Sequence, residues 1–239
     1  MKQHGFTLIE LMVTIAIAAI LLGLGVSSFG TMMASTQART TADSIMSGLR
    51  LARAEAIKRN APMRFQLVST TDNTCTFSAA SALWVVTQTD AAPTTRGLAA
   101  NYCGSMPYTP PDQPDICSPA IAACSATVLT SCRGAPTATN PNPSTCSSDP
   151  LIAFKSDSNA VNSIAVAASG LGVAAYAVTF NPLGRVMANA EGGASLDTIN
   201  ITPSDTSAKK WRIRITASSG SLKQCDPDAA VATTSAQAC

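Results

Sequence analysis

Histidine is almost missing from this 239-residue chain: the one copy is His4, at the very start. That leaves no material downstream for a Ser/His/Asp or Cys/His nucleophile relay, nor for a His-ligated metal. Asp112 and Asp115 are close enough to suggest a carboxylate pair, but they sit in a proline-rich stretch that reads as solvated loop. An enzyme is therefore not expected, and neither a cofactor nor a metal. Charge is scarce as well, at 13% of residues with a formal net charge of +2, so no global field draws the molecule to nucleic acid or anionic lipid. Aromatic residues make up only 5%, and much of the apolar content is alanine, which implies a core built from small side chains. No CxxC spacing occurs among the cysteines, the nearest being Cys117 to Cys124 and Cys124 to Cys132, and this argues against a zinc site.

What the chain does have is a long apolar run. Residues 6–29 carry a single formal side-chain charge, Glu10. Twenty-four residues are enough for a helix to cross a hydrocarbon layer of roughly 30 Å at about 1.5 Å per residue. A secretory signal has a shorter apolar region, typically about 7–15 residues ending at a small-residue cleavage site. A plain anchor explains the length and the preceding Lys2, but not the acid, because a charge among lipid tails costs about 2.5 kcal/mol or more. Glu10 needs a cationic partner. The nearest new one is the α-amino group that a cut between Gly5 and Phe6 would create.

Gly5, Phe6, Thr7, Leu8, Ile9 and Glu10 form a GFTLIE sequence that resembles the signature of type IV pilin-like proteins. The resemblance implies that a prepilin peptidase cuts after Gly5 and methylates the amine of Phe6. It also implies that Glu10 pairs with such an amine during assembly, and that the helix holds the subunit in the bacterial inner membrane before packing into a filament. Further on, LRLARAEAIKRN resembles the corresponding helix of FimT- and FimU-like minor pilins and of GspH pseudopilins.

Eight cysteines in a chain sent across a membrane read as disulfides in an oxidising compartment. Cys103, Cys117, Cys124, Cys132 and Cys146 lie in one segment, so if all eight pair, at least one bridge must leave it; Cys75 is a candidate partner. Cys225 and Cys239 form the obvious pair to tie down the tail. The remaining connectivity stays open among many pairings.

Past the apolar run, Ile45, Leu49, Ala52 and Ala56 recur on one helical face, Glu55 precedes Arg59 in the favourable order for an ion pair, and Asn60 with Pro62 supplies a stop. The cations Arg50, Arg53, Lys58 and Arg59 suit a solvated or sheet-bridging helix face. Strand patterns follow in MRFQLV, half-buried with Met63, Phe65 and Leu67 on one side, and in ALWVVTQ, LIAFK, VNSIAVAA, VAAYAVTFN, TINIT and KKWRIRIT, with a short last strand in SSGSLKQC. FNPLGRV matches a turn of the minor pilin family. Between Asp90 and Pro150, ten prolines and five cysteines mark a disulfide-stapled insertion.

In KKWRIR, alternation sets Trp211, Ile213 and Ile215 against Lys210, Arg212 and Arg214. With Lys209 and Lys223, these cations are the candidate DNA contacts, since some FimT-like proteins are associated with DNA capture through a basic GRxR-like element. Here the comparable stretch, Gly220 to Lys223, lacks the arginines, and a cationic outer strand face also serves to protect an edge.

The expected architecture is α+β. A leader (1–5) precedes a transmembrane and filament-core helix (6–29), which continues as an amphipathic helix (30–61). A β-rich, GspH-like antiparallel domain (62–225), inserted at about 90–150, is followed by a tail (226–239). The resemblance implies a minor pilin of a type IV pilus, or else a type II secretion pseudopilin. Its partners would be other major and minor pilins, the prepilin peptidase and the inner-membrane assembly platform, its domain would be periplasmic, and its final place the filament tip.

Overall fold

The computed structural model describes residues 7–72, 74–89, 103, 106–107, 148–149, 152–157, 163–189, 192–228 and 239, with backbone alone at 22–28, 106–107 and 148–149. One helix, α1 (Leu8–Lys58), spans 51 residues, or roughly 75 Å at about 1.5 Å per residue. Its backbone runs unbroken through Gly23, Gly25, Ser27 and Gly30. It stops where the sequence says it should. Arg59 caps the end, Asn60 turns into the left-handed region (φ 48°), and Pro62 cannot continue the helix.

The strands are β1 (Met63–Val68), β2 (Leu83–Gln88), β3 (Met106–Pro107), β4 (Ser148–Asp149), β5 (Ile152–Lys155) and β6 (Ile164–Gly170). They continue with β7 (Val173–Ala174), β8 (Ala177–Phe180), β9 (Val186–Met187), β10 (Thr198–Pro203), β11 (Trp211–Thr216) and β12 (Ser221–Cys225). They form not one sheet but two five-stranded antiparallel sheets, ordered β5-β2-β1-β8-β9 and β12-β11-β10-β6-β7, plus a two-stranded parallel pair, β3 with β4. The stretch VAAYAVTFN, expected as one strand, is divided between them. β7 pairs with β6 and β8 with β1, and the strand is interrupted between them at Ala175 and Tyr176, whose ring stacks on Phe77 at 4.6 Å.

The second half of α1 lies against both sheets. Ala38, Ala42, Ile45, Met46, Leu49, Ala52 and Ala56 are buried, and they meet Phe65, Trp84 and Val178 from the first sheet and Ile199, Ile201 and Ile213 from the second. The helix comes closest at Gly48. A Cβ there would stand 2.7 Å from two ring atoms of Trp84 and 2.8 Å from Phe65 Cε2, so only glycine fits. Trp84 Nε1 also donates to Ser44 Oγ at 3.2 Å. Further down, Arg53 joins the helix to both sheets, Nε donating to the Gly184 carbonyl (3.0 Å) and Nη2 to the Ser219 carbonyl (3.3 Å).

Strand β1 departs from the half-buried expectation, since all six of its residues are buried. Met63, Phe65 and Leu67 face the helix. On the opposite face Gln66 donates to Thr87 Oγ1 (2.8 Å) and Arg64 Nε to Thr179 Oγ1 (3.2 Å). Val68 joins a second small core with Cys75, Leu83, Val85, Cys103 and Ile152. The Cys75–Cys103 disulfide closes this core. Lys155 Nζ donates to the Cys103 carbonyl at 3.2 Å, and burial lowers its pKa. The other cysteines expected in the insertion, Cys117, Cys124, Cys132 and Cys146, lie outside the described residues.

Candidate functional site

Where α1 leaves the domain, its character changes. Loop residues grip it at three points: Thr31 Oγ1 donates to Asp205 Oδ2 (2.8 Å), the Lys209 amide donates to Ser35 Oγ (3.1 Å), and Ser163 Oγ donates to Gln37 Oε1 (2.8 Å). The Asp205 carboxylate is held below its usual range by bonds from the Ser207 amide and from Thr31. Beyond this collar the helix stands alone. Twelve large apolar side chains are exposed between Leu8 and Met33, among them Ile9, Leu11, Ile15, Ile17, Ile20 and Phe29. At roughly 1.5–3 kcal/mol for each side chain fully buried, covering this surface is worth on the order of 20 kcal/mol. A free monomer in water would forgo all of it, so the half-helix is built to be covered.

Among the described residues no helix is long and apolar enough to cross a membrane. The run expected to do so, 6–29, includes residue 6 and the side chains of 22–28, which lie outside the described set.

The free end of the helix is closed by a capping box that the sequence reading passed over. Thr7 Oγ1 accepts from the Glu10 amide at 3.4 Å, and Glu10 Oε2 accepts from the Thr7 amide at 2.9 Å and from its hydroxyl at 2.8 Å. The signal was present as Thr7-Leu8-Ile9-Glu10, the Ser/Thr-x-x-Glu pattern that precedes an apolar helix. Glu10 thus points back along the chain toward its N-terminal end. The Thr7 amide that this carboxylate holds belongs to the residue that follows Phe6 in sequence, and Gly5 and Phe6 themselves lie outside the described residues.

The candidate DNA contacts are brought together only in part. Arg212 and Arg214 share the outer face of β11, and Arg214 pairs in register with Lys223 on β12. Lys210 and Lys209, however, precede the strand and are engaged by carboxylates: Lys210 Nζ lies 3.4 Å from Asp228, and Lys209 Nζ lies 3.3 Å from Asp226 and 4.8 Å from the Trp211 ring centre. Arg212 Nε donates to Asn200 Oδ1 at 2.6 Å. A row of five free cations does not exist. The same edge carries the Cys225–Cys239 disulfide, which ties residue 239 to the end of β12.

Comparison with known proteins adds two matches. Residues 1–26 fit the prokaryotic N-terminal methylation motif, and residues 41–220 fit the family described as type II transport protein GspH. No curated protein and no solved structure matches the chain. The second match takes in α1 from residue 41 and every strand but β12; together with the methylation motif at the exposed end of the same helix, it means that the chain belongs to the GspH family, as a minor pilin or pseudopilin.

Proposed function

We propose that the protein is a minor pilin of a type IV pilus, a non-enzymatic subunit that helps to prime or cap the filament. The observation that carries this reading is the division of α1 into a half packed on two sheets and a half with its apolar side chains exposed. The exposed half serves twice, first as the inner-membrane anchor and then as the part packed among neighbouring helices. Processing after Gly5 would free the amine of Phe6 beside Glu10. In the subunit alone Glu10 caps its own helix; in the filament it would turn to the amine of a neighbour and set the register between subunits. The domain would contact other pilins at the tip. Glu10→Ala is expected to leave membrane insertion intact while impairing incorporation into sheared filaments. Normal piliation by that variant would overturn the mechanism.

A second reading, a pseudopilin of type II secretion, is favoured by the matching family, type II transport protein GspH. Deletion of the gene separates the two. Loss of surface filaments and twitching with normal exoprotein secretion supports the pilus, and the reverse supports secretion. A DNA contact on the outer strand face would draw on Arg212, Arg214 and Lys223, and gel shifts comparing the protein with its triple alanine variant test that contribution.

A further inference from the structure

Apart from the exposed half-helix, large apolar side chains are exposed at two places on the described surface. Leu171 and Val173 flank one turn; at the far end of α1, Ile57 (53% exposed) lies against the turn that carries Leu183 (75%), since a Cβ on Gly184 would stand 3.0 Å from Ile57 Cδ1. The second place differs from the first in rigidity and in charge.

Leu183 sits at the tip of a turn that is held from several sides. The Asn181 amide donates to the Arg185 carbonyl (2.9 Å), and the Gly184 amide donates to the Asn181 carbonyl (2.8 Å). Asn181 Oδ1 accepts from the amides of both Leu183 and Arg185 at 3.0 Å. Gly184 takes a left-handed φ of 71°, and its carbonyl accepts from Arg53 Nε. The neighbouring turn presses in as well: a Cβ on Gly220 would fall 2.0 Å from that same carbonyl oxygen. A leucine presented on so fixed a loop loses little conformational freedom when a partner covers it.

Cations surround the apolar pair. Arg50, Arg53 and Ile57 share one helix face at i, i+3 and i+7, Arg185 follows the turn, and Lys58 adjoins Ile57. Arg50 and Arg185 are exposed and form no ion pair among the described residues. The carboxylate at this end of the helix, Glu55, is already taken by Arg59 and Lys58. The Leu171 turn has no such rim; there the Asp197 carboxylate accepts from the Leu171 amide at 2.9 Å.

We propose that Leu183 and Ile57, within the ring of Arg50, Arg53 and Arg185, form a docking surface for another protein that offers an apolar socket rimmed with carboxylates. The home membrane is out of reach, because 28 helical residues, about 42 Å, separate Phe29 from Ile57. That exclusion rests on the anchored reading given above. Among the described residues, most carboxylates of a second copy are already engaged: Asp43 by Arg39, Asp226 by Lys209, Asp228 by Lys210, Asp197 by the Leu171 amide, and Asp72 and Asp205 by the hydroxyls and amides of their own turns and of Thr31, which leaves Asp157 as the exposed exception.

The test places the photo-crosslinker p-benzoylphenylalanine at position 183, and at position 171 for comparison, in the full-length protein in isolated membranes of its own cells. A discrete protein adduct is expected from 183 and not from 171, its crosslinked peptide carrying Asp or Glu beside apolar residues. The yield should fall several-fold in the Arg50→Glu/Arg185→Glu double variant, and likewise when salt is raised on the protein with its arginines intact, which needs no variant to fold. No adduct from 183, an adduct with phospholipid alone, a peptide lacking carboxylates, or a yield indifferent to charge reversal and salt would each overturn the proposal. The mass of the mature N-terminus in the same sample reports separately on the anchored reading.

Discussion

On the proposed function Glu10 carries two duties, one within its own helix and one in assembly. Its carboxylate closes the capping box with Thr7, a role that glutamine can also fill, whereas pairing with a methylated amine needs the charge. Glu10→Gln should therefore keep the helix start yet fail to incorporate into filaments, the outcome expected of Glu10→Ala as well; incorporation rescued by glutamine would show that capping is the whole role. At the other end of the helix, Glu55 lies buried, 2.6 Å from Arg59 and 3.3 Å from Lys58. Burial alone would raise its pKa, but the bonds and charge of Arg59, with help from Lys58, bring it below the ordinary value of 4.5. A group depressed in the folded state contributes stability above its unfolded pKa and loses it as pH falls through the folded one. Glu55→Gln should then cost about 1 kcal/mol in urea unfolding at pH 7, with the gap to the parent closing as pH drops below 4.5. A gap unchanged at pH 3 would contradict this. At Gly48, alanine is the better helix former by about 1 kcal/mol, yet its Cβ would press into Trp84 and Phe65. Gly48→Ala should lower the midpoint of thermal unfolding by several degrees, since overpacking costs about 1–3 kcal/mol. A rise would show that the ring pair yields.

At the scale of elements, the sequence makes the helix legible from Thr7 to Asn60 because its signals are local: an apolar face at helical spacing and a stop of Asn60 and Pro62. Strand positions are legible for the same reason, and the bounds of Met63–Val68 match those of its alternating stretch. Pairing is not local. Nothing in the alternation of VAAYAVTFN tells that Val173–Ala174 belongs to one sheet and Ala177–Phe180 to the other, because side-chain period fixes a face and not a neighbour. The polar face of β1 was misread as solvent-facing; it is covered, and Arg64, Gln66 and Thr87 bond within the cover. Gly48 was invisible since its reason lies in Trp84, 36 residues away in sequence. The cover over β1 leans on Cys75–Cys103, whose partners are 28 residues apart. Replacing both by serine should cost about 3 kcal/mol and loosen the packing of Val68, Val85 and Ile152, read as a lower urea midpoint and as faster amide exchange in β1 and β2. Exchange unchanged in these strands would show that the second core stands without its cross-link.

For the molecule as a whole, the two ends of α1 present opposite surfaces. One is an apolar rod capped by Thr7 and Glu10; the other is the cation-ringed pair of Ile57 and Leu183. Between them the domain grips the helix through Asp205, Ser163 and Arg53, so that a load on one end is transmitted to both sheets. Such a body makes sense as a subunit among others, held by its rod and read by its far end. All of this depends on the rod being released by a cut that exposes an amine beside Glu10. Mass spectrometry of the protein purified from its own cells measures this most directly. The account predicts a first residue of Phe6, one methyl group heavier than phenylalanine, whereas a chain still beginning with Met1 to Gly5 while the processing peptidase is active would contradict it.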